Sequence, residues 1–95
     1  DTSELNERAA RALCDREAYC GRLGVGKAFE SADACMAEKR DRVRRALGEA
    51  SCTEVRGDRV SACLTAIRGA SCGPPGARLK PPAPCTKEAL CGPSM

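Results

Sequence analysis

The chain has 95 residues, enough for one small domain, with 16 basic and 13 acidic side chains and a formal net charge of +3. Alanine (16) and cysteine (8) fill most of its 42% apolar fraction, and leucine, isoleucine, valine and phenylalanine together number only 13, fewer than an unsupported chain needs to leave the disordered state. The absence of histidine removes Ser-His-Asp and Cys-His nucleophile systems and the commonest transition-metal ligand, apolar runs of a few residues exclude a membrane span of about 20, and a mild positive charge does not argue for nucleic acid.

A first helix is predicted over 3–20. Thr2 or Ser3 is a candidate N-cap, Glu4 and Glu7 fall in the first turn, and Gly21 is the stop. Leu5, Ala9, Ala12, Leu13 and Cys20 form its apolar stripe. Residues 21–30 carry three glycines and read as a loop that folds Val25 and Phe29 back onto the core. Its G-x-x-G-x-G spacing with Lys27 lacks the preceding strand and the following GK[ST] of a phosphate cradle, so it reads as an ordinary loop. A second helix is expected over 32–47, starting near Ser31 or Asp33 and stopping at Gly48, with Ala32, Met36, Val43 and Leu47 on one face. Lys39, Arg40, Arg42, Arg44 and Arg45 fan around the rest of it, partly offset by Glu38 and Asp41. The plain reading of that fan is a solvated face, and contact with an anionic partner is the sharper one; no interleaved aromatic residues offer stacking to nucleic acid.

The third helix, 58–68, has Asp58 as its cap, Val60, Cys63, Leu64 and Ile67 at i, i+3, i+4, i+7, and Gly69 as its stop. Ser51-x-x-Glu54 is a capping box that adds a turn before it. Proline and glycine crowd 69–85, which is therefore expected to be a stiff extended loop. Its Arg78-x-x-Pro81-x-x-Pro84 has the form of an SH3 ligand, which a disulfide-bonded chain has little chance to present to such a cytoplasmic domain. A last helical turn, 86–91, is capped by Thr86 and ended by Gly92-Pro93. No stretch alternates as a strand does. The expected fold is all-α: a single domain, a small disulfide-stapled bundle of three helices plus a short C-terminal helical turn and a Pro/Gly-rich loop.

The cysteines stand at Cys14, Cys20, Cys35, Cys52, Cys63, Cys72, Cys85 and Cys91. The close Cys pairs of a zinc knuckle and a redox Cys-x-x-Cys are both missing, so an even, widely spaced set reads as four disulfides formed in an oxidising compartment. At roughly 2 to 4 kcal/mol each, such bridges decide whether so thin a core folds. The 105 connectivities open to eight cysteines stay open here. One local exclusion holds: on a single helix Cys14 and Cys20 are about 9 Å apart along the axis and on different faces, beyond disulfide reach. Each must tie the first helix to something else. Beginning at Asp1 with no methionine or apolar leader, the chain reads as a mature exported form.

Cys14-Asp15-Arg16-Glu17 followed by Cys20, Gly26 to Phe29, Ala34-Cys35, Ala62-Cys63-Leu64 with Ile67-Arg68, Cys72, and Cys85 to Leu90-Cys91 resemble the pattern of a family of small cysteine-rich exported proteins, many lipoprotein-like, from myxobacteria and their relatives. That family has no assigned function, and the resemblance, over about residues 9–92, implies export, disulfides and helices and no active site. The expected function is a non-enzymatic, extracytoplasmic structural or protein-interaction module, including a subunit of a surface or filamentous assembly. The alternative is a secreted inhibitor or toxin-like effector inserting the rigid loop 73–84. Lys39, Arg40, Arg42, Arg44, Arg45, Arg78 and Lys80 are the candidate contacts for a protein partner, a second copy or an anionic surface. No metal, cofactor or nucleic acid is expected. Asp15, Glu17, Glu38 and Asp41 read as surface carboxylates paired with arginines rather than as an acid and base, and Asp15 and Glu17, two apart, do not converge.

Overall fold

The computed structural model describes residues 3–47, 57–74, 76–86 and 89–90. Three helices, α1 (Ser3–Tyr19), α2 (Ala32–Leu47) and α3 (Gly57–Arg68), precede a 3-10 turn at Ala83–Cys85, and no strand occurs among the described residues. The protein is an all-α, disulfide-rich bundle. Thr2, Gly48, the Ser51 to Glu54 box, Cys52, Cys91 and Gly92-Pro93 lie outside the described residues, as does the side chain of Leu47.

Gly21 stops α1 through its left-handed backbone, φ 77°. Its N–H donates to the Ala18 carbonyl and the N–H of Arg22 donates to that of Glu17, both at 3.0 Å, the paired bonds of a Schellman cap. At the start of α2 the Ala34 N–H donates to Ser31 Oγ at 3.1 Å, so Ser31 is the N-cap. α3 begins one residue before the sequence suggests, which puts Asp58 in the first turn, where a carboxylate meets the positive end of the helix dipole.

Leu5, Ala9 and Leu13 of α1 meet Val43 of α2 and Val60, Cys63, Leu64 and Ile67 of α3 in the larger core cluster, which Leu79, Cys85 and Leu90 close from the C-terminal side. A smaller cluster joins Ala10 and Cys14 to Phe29, Cys35 and Met36. Disulfides fasten these thin seams. Cys14–Cys35 (Cα–Cα 5.9 Å) links α1 to α2, Cys20–Cys72 (5.6 Å) ties the end of α1 to the chain beyond α3, and Cys63–Cys85 (4.8 Å) holds α3 to the 3-10 turn. Cys14 and Cys20 thus go to separate partners, as their helical positions require.

Two apolar residues differ from expectation. Phe29 is buried but Val25 is 96% exposed: the backbone reverses at Gly24 (φ 131°) and Gly26 (φ 78°), and only the return limb comes back, with Phe29 N–H donating to the Arg22 carbonyl and Gly24 N–H to the Phe29 carbonyl. Ala32, at the first position of α2, is exposed. The Pro/Gly-rich segment is also more ordered than a plain extended loop. Pro84 lies inside the 3-10 turn and Pro82 caps it, positions where a fixed φ is suitable and the missing N–H costs nothing. Beyond it, the N–H groups of Ala89 and Leu90 both donate to the Thr86 carbonyl.

Candidate functional site

Glu17 follows Leu13 by four and Cys14 by three, and Lys39 precedes Val43 by four and follows Cys35 by four. Helical spacing therefore places both on the inward stripes of α1 and α2. The structure buries both completely. Lys39 Nζ donates to Glu17 Oε2 and to the Leu79 carbonyl, each at 2.8 Å, and Leu79 N–H returns to Glu17 Oε2 at 3.0 Å. Arg22 Nη1 donates to Glu17 Oε1 at 2.7 Å, while its Nη2 donates to the Cys72 carbonyl. A second layer surrounds Phe29, whose ring has Lys39 Nζ 4.9 Å and the Arg78 guanidinium 4.8 Å from its centroid. Arg78 also donates to Glu38 Oε1 at 2.5 Å. This hub clamps Cys72, Arg78 and Leu79 against α1, α2 and the loop between them.

Lys39 is therefore not a surface contact, and Glu17 is not a surface carboxylate; both expectations are corrected by their burial. Burial by itself raises the Glu17 pKa, but the hydrogen bonds from Lys39, Arg22 and the Leu79 N–H, with the Lys39 charge, outweigh it and hold the carboxyl below its ordinary 4.5. A folded-state pKa below the unfolded one contributes stability that is complete above the unfolded value and lost as pH falls through the folded value. Stability is accordingly expected to hold near neutrality and fall once the pH drops below 4.5. Thermal melts from pH 7 downward, with the Glu17 carboxyl carbon followed by NMR, check this; a Glu17 midpoint above 4.5 contradicts it.

The remaining arginines of α2 are on the surface and mostly engaged. Arg40 makes a two-pronged contact with Glu7 across to α1, both bonds 2.8 Å, which lowers the Glu7 pKa. Arg44 and Arg45 share Asp41 at 2.9 and 3.1 Å, and Arg42 lies 3.6 Å from Glu38. Arg78 is committed to Glu38 and Phe29. Lys80 is exposed. Of the sequence-predicted cations, Lys39, Arg42 and Arg78 thus gather at Glu38, Arg44 and Arg45 at Asp41 and Arg40 at Glu7, so that they form no single unpaired surface.

Another set does converge. An open groove of about 390 Å³ runs between α1 and α3, lined by Arg8, Arg11, Ala12, Asp15, Arg16 and Tyr19 of α1 and by Leu64 and Arg68 of α3. Among the described residues, no ion pair or hydrogen bond engages the Arg8, Arg11 or Arg68 guanidinium, and the charge of Arg11 helps to lower the Glu7 pKa. Arg16 is held in place: its Nε donates to the Ala70 carbonyl at 2.9 Å and its guanidinium lies 4.4 Å from the centre of the Tyr19 ring. Tyr19 is itself 75% exposed. The α1 members share a flank by helical spacing, a signal present in the sequence; that Arg68 comes alongside depends on how α3 docks, which no local pattern reveals.

No group of three or more candidate metal ligands occurs among the described residues, and no described helix is long and apolar enough to cross a membrane. The three disulfides among the described residues, together with that helix content, are compatible with an exported protein. The fold thus defines a disulfide-stapled helical domain. Its sequence matches the model of a family of unknown function (DUF6184) over residues 14–93, a span that takes in all eight cysteines, and the chain belongs to that family. No curated protein and no solved structure matches it.

Proposed function

We propose that this chain is a non-enzymatic, extracytoplasmic protein-interaction module, and that the groove between α1 and α3 is the surface it presents. One observation carries the reading: three arginines without an ion pair or hydrogen bond among the described residues and one oriented arginine share a groove with Ala12 and Leu64, whereas the arginines of α2 are ion-paired. A rigid scaffold loses little entropy when it binds, and the disulfides with the Glu17 hub supply that rigidity. Export rests on the disulfides and on the resemblance to exported myxobacterial proteins. The inhibitor reading has less support, because Leu79 is buried and both its backbone groups are hydrogen-bonded to the hub, leaving the segment against the body of the protein rather than standing clear.

A photocrosslinking amino acid at position 11 or 68, in cells that produce and export the protein, is expected to yield discrete crosslinked species. The same group at position 44, on the paired face of α2, is expected to yield none. Equal crosslinking from both faces, or none from the groove, overturns the assignment.

A further inference from the structure

Resting on that reading, we infer that the occupant of the groove is a short acidic protein segment, about five residues long, with an apolar side chain among its carboxylates. Charge complementarity comes first. All four cations of the groove are arginines, whose flat forks match carboxylates two bonds at a time. Arg16 is already oriented by the Ala70 carbonyl and the Tyr19 ring, so its remaining N–H groups are presented without further ordering.

The lining also sets length and composition. From Arg8 to Tyr19 is eleven residues of α1, about 16 Å at ~1.5 Å per residue, which an extended segment of about five residues spans at ~3.4 Å each. Ala12 and Leu64 line the groove between the arginines and give an apolar side chain somewhere to go. Asp15, exposed in the same lining, disfavours a polymer carrying charge at every unit. A sulfated polysaccharide would meet that carboxylate, and would find in the lining a single aromatic ring with Arg16 against one of its faces. A protein segment can leave a neutral residue opposite Asp15.

The test is an NMR titration of the whole, oxidised protein with the blocked pentapeptide Glu-Glu-Leu-Glu-Glu, with Gln-Gln-Leu-Gln-Gln, and with a sulfated tetrasaccharide. The acidic peptide is expected to move the signals of Arg8, Arg11, Arg16, Tyr19 and Arg68 saturably, and salt is expected to weaken it. Arg68→Glu and Arg8→Glu, both at exposed positions, are each expected to weaken it at least about tenfold, with circular dichroism unchanged, while Arg44→Glu leaves it as it was. Equal binding of the neutral peptide, tighter binding of the tetrasaccharide, shifts spread over α2, or no saturable binding each overturns the acidic segment. If that happens while crosslinks from positions 11 and 68 persist, the groove has another occupant and the interaction reading stands; loss of the crosslinks removes both.

Discussion

Glu17→Gln is expected to cost about 3 to 5 kcal/mol of unfolding free energy, the range for removing one partner of a buried ion pair. The substitution keeps the shape of the side chain and removes its charge, leaving the ammonium of Lys39 and the guanidinium of Arg22 facing a neutral amide at positions that are 0% and 7% exposed. Replacing a buried pair with apolar residues of similar size is often neutral or stabilising. Here it is not expected to be, because the pair also satisfies both backbone groups of Leu79. Glu17→Met with Lys39→Met orphans that N–H and that carbonyl, at about 1 to 3 kcal/mol apiece. The double variant should therefore remain destabilised. Urea melts with the disulfides intact decide it: a double variant as stable as the wild type would mean that Leu79 is not held by this hub. Glu7→Gln, which breaks only the exposed contact with Arg40, should change stability far less.

The hub shows what was legible in the sequence and what was not. The helices follow from the stripe of Leu5, Ala9 and Leu13 and from that of Val60, Cys63, Leu64 and Ile67, because burial at 3.6-residue spacing is a local property. Glu17 and Lys39 sit on such stripes too. Their residue type argued for the surface while their spacing argued for the interior, and spacing won because each met an opposite charge and the backbone of Leu79. The opposite charges meet only through the packing of α1 on α2, and the Leu79 backbone arrives from 40 or more positions along the chain. The same distance hid the groove. Arg8, Arg11 and Arg16 are legible as one flank of α1, but Arg68 joins them only through the α1–α3 packing. The α2 arginines drew attention by density alone, and density proved to be ion pairing with Glu7, Glu38 and Asp41.

Among the three described bridges, removal of Cys20–Cys72 is expected to be the most damaging. Its cysteines are 52 residues apart, against 21 for Cys14–Cys35 and 22 for Cys63–Cys85, and the loop-closure estimate gives about 4 kcal/mol for the first and about 3 for each of the others. Neither of the shorter bridges shortens the 20-to-72 loop by much, so the difference persists in their presence. The native state adds a second cost. Cys72 carries the carbonyl that receives Arg22, and two residues before it the Ala70 carbonyl orients Arg16 in the groove. Cys20→Ser with Cys72→Ser should then lose stability and loosen the groove together, weakening capture of the acidic pentapeptide although no substituted residue lines it. A double-mutant cycle with Arg22→Met isolates the shared part, with an expected coupling of about 0.5 to 3 kcal/mol, as for groups in one network. Additive effects, or a loss no larger than that from opening Cys14–Cys35, would show that this bridge acts on the unfolded chain alone and that residues 70–72 keep their place without it.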